Sequence, residues 1–206
     1  MNGGKAGSVV AEVSMESLLI ELQRLKRLDR TGWVLRGLAP GAESVAAHSY
    51  GVAFTAMLLA DEVRARGAEV DVERVLRVAL LHDLAEARTG DMPRTMALYY
   101  GAEARRAAER AAFDDMMRSL GARRSADYGA LHEDYEARES LEARLVKAAD
   151  ILDLLAQALV FERAGAGELA EFWEGARERD FGLEGVAKEV VAEMLGALVA
   201  AREALK

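Results

Sequence analysis

Apolar residues recur at intervals of three and four along most of the 206-residue chain, the spacing that places them on one side of an α-helix. The pattern predicts helices over residues 13–28, 43–63, 71–89, 102–120, 125–138 and 141–161, then a short helix around 172–173 and a closing helix over 183–204. Ser44 and Asp71 are predicted N-caps, and Gly121 is predicted to end a helix. No segment reads convincingly as a strand, so the chain is predicted to be all-α.

One predicted helix ends with three titratable residues in an apolar setting. Four apolar residues, 78–81, precede His82 and Asp83, and two more, 84–85, follow them. Burying an ionised carboxylate is costly unless a cation or a hydrogen-bond donor compensates it, and an adjacent imidazole and carboxylate can share a metal ion. Glu86 lies four residues after His82 and three after Asp83, so a continuous helix brings all three side chains to one face.

Two residues of the same chemistry lie inside other predicted helices. The helix over 141–161 is apolar on two faces, and Asp150 is embedded in the second of them. Because an aspartate in such a place is rarely unpaired, metal ligation is favoured over a salt bridge to a buried arginine. A lone His48 would more often be a hydrogen-bonded core residue, but a cation shared with the pair at 82–83 accounts for both histidines.

Four other positions allow two interpretations each. Trp33 lies among two glycines and a proline, where it either plugs the core or joins Arg30 in the wall of a pocket for a planar or anionic ligand. Asp91, in a Thr-Gly-Asp-x-Pro turn, either orients a water or a substrate hydroxyl or hydrogen-bonds its own backbone. Lys147 either faces solvent or neutralises a substrate anion. His132 is interpreted as a surface or packing residue because its neighbours are polar.

Composition narrows the function classes. The formal net charge of −8 argues against a protein that binds the phosphate backbone of nucleic acids, which needs a basic surface. Without cysteine, a metal must be held by imidazole nitrogen and carboxylate oxygen. With no signal-peptide core and no run of about 18 uncharged apolar residues, we expect a soluble, cytoplasmic protein without a membrane partner. The charged face of the helix over 102–120 is expected to face solvent.

His48, the His82–Asp83 pair and Asp150 resemble the H…HD…D signature of the HD-domain superfamily of metal-dependent phosphohydrolases. Four blocks are similar to the small 5'-deoxynucleotidase branch of that superfamily: RTGW at 30–33, ESVAAH at 43–48, HDLAE at 82–86 and TGDMP at 89–93. The resemblance covers about residues 15–165. One departure is that relatives often have Arg immediately before the Trp, whereas here Gly32 holds that place and Arg30 lies two residues upstream of it.

The resemblance implies an all-α HD-domain bundle. Length and composition predict a single domain, residues 1–206, in which the helices over 168–206 pack on the motif-bearing core or form a homodimer contact. The resemblance also implies one divalent metal ion (Co, Mn, Ni, Fe, Zn or Mg) bound by His48, His82, Asp83 and Asp150. Glu86 and Asp91 are the implied catalytic residues, in proton transfer or water positioning. The predicted substrate-binding residues are Arg30, Trp33, Arg94 and Lys147.

The activity that the resemblance implies is removal of the 5'-phosphate from a small-molecule (deoxy)nucleoside monophosphate. Cyclic-nucleotide phosphodiesterase and alarmone hydrolase are alternatives, although a two-metal phosphodiesterase usually needs extra histidines and only His132 remains. A non-catalytic helical scaffold with a structural metal is a third alternative. Glu86 separates it from an enzyme, because a structural site with four ligands has no need of a further carboxylate on the same face.

Overall fold

The structure, a computed structural model, describes residues 14–205, apart from the side chains of Arg94 and Ala97. Its helices are α1 Met15–Leu22, α2 Thr31–Val34, α3 Val45–Ala65, α4 Val72–Leu81, α5 Glu86–Thr89, α6 Ala97–Tyr100, α7 Ala102–Met117, α8 Ala122–Ala137, α9 Leu141–Arg163, α10 Ala170–Trp173 and α11 Gly185–Glu203. Short 3₁₀ turns follow α1, precede α6 and follow α7. Within the described residues the extended pairing is a single bridge between Asp29 and Ser44, and the all-α prediction is confirmed.

The long helices α3 and α9 pack against each other at the centre of the fold, and α4 and α11 contact both. Their apolar faces form the larger core, which includes Val52, Leu59, Val75, Leu145, Leu152, Leu155 and Val191. A smaller core joins α1, α5 and α7 to the start of α3, with Phe113 and Met116 fully buried. Val45 at the start of α3 belongs to the smaller core and the helix from Val52 onward to the larger one, and the polar site described below lies between them.

The predicted helix caps are present. Ser44 Oγ accepts the amide N–H of Ala47 at 3.1 Å, and Asp71 Oδ1 accepts that of Arg74 at 3.0 Å. Gly121 follows α7 and its 3₁₀ turn with a φ of 80°, in the left-handed region that favours glycine. The helix predicted over 13–28 begins at Met15 and ends at Leu22, and residue 13 lies outside the described residues.

The prediction of one continuous helix over 71–89 is wrong. Helix α4 ends at Leu81, residues 82–85 form a turn, and α5 starts at Glu86. The cause is local: His82 Nδ1 lies 2.7 Å from the carbonyl oxygen of Ala79. That oxygen would accept the amide N–H of Asp83 in a continued α-helix, so the His82 side chain takes the place of the backbone donor.

The C-terminal part of the chain packs on the larger core. Val190, Val191 and Leu195 of α11 are buried, whereas Met194 is exposed. Trp173 of α10 is also buried, and its ring lies 4.9 Å from the guanidinium of Arg202. Among the described helices, none combines the length and the hydropathy that a membrane span requires.

Candidate metal centre and substrate cavities

Three elements bring His48, His82, Asp83 and Asp150 together. His48 lies in the first turn of α3, His82 and Asp83 follow α4, and Asp150 lies near the middle of α9. Ligand atoms of His48, His82 and Asp83 all lie within 4.8 Å of one another. Asp83 Oδ2 is 3.1 Å from His82 Nε2 and 3.7 Å from His48 Nε2, and Asp150 Oδ1 is 3.2 Å from His48 Nε2. His48, His82 and Asp83 therefore share one point, and Asp150 lies beside it through its contact with His48.

The other ring nitrogen of each histidine is already engaged. His82 Nδ1 donates to the carbonyl oxygen of Ala79, which can only accept, so this nitrogen carries the hydrogen. His48 Nδ1 lies 2.8 Å from Asp153 Oδ2. Neither Nε2 has a hydrogen-bond partner among the described residues. In a neutral ring Nε2 then presents a lone pair to carboxylate oxygens, an arrangement that a proton or a metal ion between them stabilises.

The electrostatics at this point favour positive charge. Burial and nearby Arg30 lower the pKa of His48, but the carboxylates of Asp150 and Asp153 outweigh them and raise it to about 9. Burial would raise the pKa of Asp83, yet His82 and Arg30 hold it well below its usual range. Two imidazoles and two carboxylates are a donor set that suits a first-row divalent ion, so the residues fit the metal that the sequence implies.

Two cations and a phenol complete the surroundings of the carboxylates. Arg30 Nη1 lies 3.2 Å from Asp83 Oδ2, and Lys147 Nζ lies 2.7 Å from Asp150 Oδ2. Tyr135 donates its hydroxyl hydrogen to the same Asp150 oxygen at 3.1 Å. Burial would raise the pKa of Asp150, but Lys147, with about a quarter of its side chain exposed, acts together with His48 and His82 to hold it well below its usual range.

A cavity of about 290 Å³ opens beside this centre. Glu86 lines it, is 4% exposed, and its Oε2 has no hydrogen-bond partner within the described part of the chain. Burial and the negative charges of Asp83 and Asp91 raise the pKa of Glu86 to about 10. Although the continuous helix behind its prediction is absent, Glu86 reaches the same cavity as His82 and Asp83.

A second cavity of about 360 Å³ adjoins the first, and Arg30 and Asp91 line both. Trp33 lines the second cavity and is also buried in the larger core at 1% exposure, so it is both a core residue and part of the cavity wall. Its ring packs on Phe172 with the centroids 4.7 Å apart. Apolar side chains of Leu35, Met92, Leu98 and Leu154 form much of the remaining wall.

Asp91 hydrogen-bonds the start of α2 and not its own backbone in the turn. Its Oδ2 accepts the amide N–H of Thr31 at 2.5 Å, and the Thr31 hydroxyl donates to its backbone oxygen at 2.7 Å. Its Oδ1 lies 3.8 Å from Arg30 Nη1. Asp91 therefore ties its loop to the start of α2 and faces the cavities beside Arg30. The side chain of Arg94 lies outside the described residues.

The expectation that the charged face of α7 is solvated is wrong in part. Glu109 is 6% exposed, accepts a hydrogen bond from Arg105 Nε at 2.7 Å, and lines the first cavity together with Arg105. His132 lines the same cavity, is 4% exposed and stacks on Phe113 with the centroids 4.2 Å apart. It is thus a packing residue and not a surface one, and burial lowers its pKa.

Sequence reasoning also missed Asp153, Tyr135 and Glu43. Asp153 lies three residues after Asp150 on α9, and that spacing was a usable signal for a second carboxylate on the same helix face. Tyr135 and Glu43 carry no such signal, because their contacts come from α8 packing on α9 and from the turn before α3.

A helical bundle in which two histidines and two aspartates from three elements converge defines the HD-domain class. A family model described as an HD domain matches residues 22–179, and the chain belongs to that family, as the sequence resemblance indicated.

Among similar proteins, the 5'-deoxynucleotidase HDDC2 of Xenopus laevis is 33% identical over 152 residues, which span 73% of this chain and 71% of that protein. A conserved hypothetical protein from Pyrococcus furiosus is 37% identical with a TM-score of 0.78, over 90% of this chain and 99% of that one. A predicted metal-dependent phosphohydrolase from Magnetospirillum magnetotacticum is 26% identical with a TM-score of 0.61, over 90% and 94% of the two chains.

Proposed function

We propose that this protein is a metal-dependent 5'-deoxynucleotidase, which hydrolyses a (deoxy)nucleoside 5'-monophosphate to a nucleoside and inorganic phosphate. The observation that carries the proposal is the convergence of two imidazole Nε2 atoms on the Asp83 carboxylate, beside a cavity that also contains Arg30 and Glu86. The HD-domain family and relatives named 5'-deoxynucleotidase support the same reaction.

His48, His82, Asp83 and Asp150 are the proposed ligands of one divalent ion. The mixed nitrogen and oxygen set suits Mn, Co, Ni, Fe or Zn, and Mg also accepts carboxylate ligands. When bound, such an ion polarises a phosphoryl oxygen and makes a water molecule more acidic. Asp153 and the Ala79 carbonyl orient the two imidazoles through their Nδ1 atoms.

The phosphate binds in the first cavity and the nucleoside in the second. Arg30 and Lys147 lie beside the proposed ligands and bind the phosphate, for which the guanidinium offers paired donors. The nucleoside extends into the second cavity, where Trp33 and Phe172 provide aromatic surface. Asp91 holds the loop that both cavities share and so keeps Arg30 in place. Arg94 stays a proposed substrate contact on the sequence alone.

Glu86 acts as the general acid and then as the general base. Burial and the nearby carboxylates favour the protonated form of Glu86, and in that form it can donate a proton to the 5'-oxygen as the bond from phosphorus to that oxygen breaks. Water attacks the phosphorus, and the proton that the water gives up returns to Glu86. The products are the nucleoside with its 5'-hydroxyl and inorganic phosphate, and the carboxyl group is regenerated.

A homodimer is part of the proposal. Tyr50, Phe54 and Leu58 lie four residues apart on α3, and each is about half exposed or more. A stripe of large apolar side chains on one face of a helix suits a contact with a second copy. Sedimentation of the purified protein measures the oligomeric state, and a monomer at all concentrations would contradict this part.

The decisive experiment is a phosphate-release screen of nucleoside and deoxynucleoside monophosphates, each with a panel of divalent metals. We expect turnover with the wild-type protein, none with Asp83→Ala, and metal binding without turnover for Glu86→Gln. Asp61→Ala, which removes an exposed carboxylate of α3, is the matched control and keeps full activity. Unchanged turnover of Asp83→Ala would refute the site.

The same screen includes a 3',5'-cyclic nucleotide and guanosine tetraphosphate, with the products separated by chromatography, because their hydrolysis yields a monophosphate or pyrophosphate and not inorganic phosphate. Release of phosphate from monophosphates alone separates the proposed enzyme from the other hydrolases considered. A protein that binds metal and hydrolyses none of these substrates would instead be a scaffold. Circular dichroism on each variant distinguishes loss of the site from loss of the fold.

A further inference from the structure

Glu43 is a buried carboxyl group that the proposed reaction does not use. It is 9% exposed and lies immediately before Ser44, the N-cap of α3. Through its backbone and its side chain it contacts three parts of the site: the Arg30 backbone, the Trp33 indole and the surroundings of His48. Because burial of a carboxyl group is costly without hydrogen bonds, these contacts are what stabilise Glu43 in its buried position.

The backbone of Glu43 fixes the segment that carries Arg30. The amide N–H of Arg30 donates to the carbonyl oxygen of Glu43 at 3.0 Å, and that of Val45 donates to the carbonyl of Leu28 at 2.8 Å. These two hydrogen bonds flank the bridge at 29 and 44 and hold the segment antiparallel to the entry of α3. Arg30 is thus placed relative to the helix that carries His48.

The side chain of Glu43 fixes the indole of Trp33. Trp33 Nε1 donates to Glu43 Oε2 at 2.5 Å, and both residues are buried. Phe161 and Phe172 pack against the ring, at centroid distances of 5.2 and 4.7 Å, but aromatic packing alone does not fix which way the indole N–H points. The hydrogen bond selects one orientation, because an indole N–H buried without an acceptor is costly.

The same carboxyl group lies next to the support of the candidate metal centre. Single ligand atoms of Glu43, His48 and Asp153 all lie within 4.8 Å of one another. Asp153 Oδ2 binds His48 Nδ1, so Glu43 is placed between this pair and the indole. The wall of the second cavity and a proposed metal ligand therefore share one buried group.

We propose that Glu43 is a positioning residue that sets the Trp33 wall of the nucleoside cavity at a fixed distance from the metal centre. The inference rests on the proposed function and deepens it, because it identifies what aligns the nucleoside with the phosphate. Without the carboxylate, the indole N–H must turn toward another acceptor, and the wall moves. Binding of the nucleoside part then weakens, while binding of free phosphate beside Arg30 does not.

The kinetic test compares Glu43→Ala and Glu43→Gln with the wild type. We expect Glu43→Ala to raise KM for a deoxynucleoside monophosphate about tenfold, equivalent to about 1.4 kcal/mol. Inhibition by inorganic phosphate should stay unchanged. Glu43→Gln keeps an oxygen that accepts from Trp33 and should restore KM to near the wild-type value. A Trp33→Phe background removes the N–H, so Glu43→Ala should have no further effect on KM there.

Three results would overturn the proposal: an unchanged KM in Glu43→Ala, an equal weakening of substrate and inorganic phosphate, or additive effects of the Glu43 and Trp33 substitutions. A readout that needs no activity is the indole N–H resonance of Trp33, with Trp173→Phe leaving one tryptophan. It should be protected from exchange in the wild type and in Glu43→Gln and lose protection in Glu43→Ala. If the wild type hydrolyses no monophosphate, the proposed function fails, whereas this resonance still decides whether Glu43 holds Trp33.

Discussion

Replacement of Asp153 tests whether the orientation of His48 controls the affinity of the candidate metal centre. Asp153 Oδ2 lies 2.8 Å from His48 Nδ1, and the His48 side chain is fully buried. Asp153→Ala removes this acceptor and leaves the Nδ1–H without a partner. The ring is then free to place its hydrogen on Nε2, the nitrogen that faces Asp83 and Asp150, and a protonated nitrogen cannot bind a metal.

The expected magnitude follows from the contact. A buried hydrogen bond with a charged partner contributes about 1.5–3 kcal/mol, and each 1.4 kcal/mol changes an equilibrium constant about tenfold. Asp153→Ala should therefore weaken metal binding by about 10-fold to 100-fold, the range usual for groups that orient metal-binding histidines. Asp153→Asn should have a smaller effect, because its amide oxygen still accepts from Nδ1 after the charge is lost.

Titration of the metal-free protein with Co²⁺ or Mn²⁺, followed by calorimetry, measures the affinity, and phosphate release measures turnover at saturating metal. The matched control is Glu162→Gln on the same helix. Glu162 forms an ion pair with Arg202 of α11 at 2.8 Å, so its loss should lower stability and leave metal affinity unchanged. An Asp153→Ala protein that binds metal as tightly as the wild type would refute the orienting role.

Two further predictions concern packing and pH. A Cβ at Gly51 would overlap Asp153 Oδ1, so Gly51→Ala should displace that carboxylate and weaken metal binding as Asp153→Ala does. If Gly51→Ala weakened metal binding as much in an Asp153→Ala protein as in the wild type, this explanation would be wrong. Burial would raise the pKa of Asp134, but hydrogen bonds from Ser140 and Arg74 outweigh this effect and lower the pKa. The ionised carboxylate therefore stabilises the fold at a pH above its unfolded pKa of about 3.9, and this stabilisation is lost as the pH falls through the folded pKa. Asp134→Asn should therefore cost about 1.5–3 kcal/mol in urea unfolding at about pH 7, and a difference that does not narrow at about pH 3.5 would count against this reasoning.

Elements governed by local rules could be predicted from the sequence. Ser44 and Asp71 cap their helices because a short oxygen side chain before an apolar run satisfies free amide groups wherever the helix goes. Likewise, Asp83 and Asp150 were identifiable because carboxylates in otherwise apolar stretches need a partner. Neither inference depends on how the helices are arranged.

Features that depend on tertiary packing could not be predicted. The end of α4 at Leu81 results from the His82 side chain binding the carbonyl of Ala79, and a helical pattern continues through this point in the sequence. Glu109 has the pattern of an exposed residue on α7, yet neighbouring elements bury it at the wall of the first cavity. Burial on a charged helix face is decided by the neighbouring elements, which periodicity does not describe.

The charges around the site explain why phosphate binding should depend on a bound divalent ion. The formally charged groups that contact one another around the proposed ligands are the carboxylates of Asp83, Asp91, Asp150 and Asp153 and the cations of Arg30 and Lys147. When both histidines are neutral, as metal ligands must be, and Glu86 is protonated, two negative charges remain in excess, which is the charge that one divalent ion neutralises. In the metal-free centre a protonated His48 leaves one negative charge in excess, which a dianionic phosphate would still meet, and burying like charges together is costly. Metal binding should therefore precede productive substrate binding.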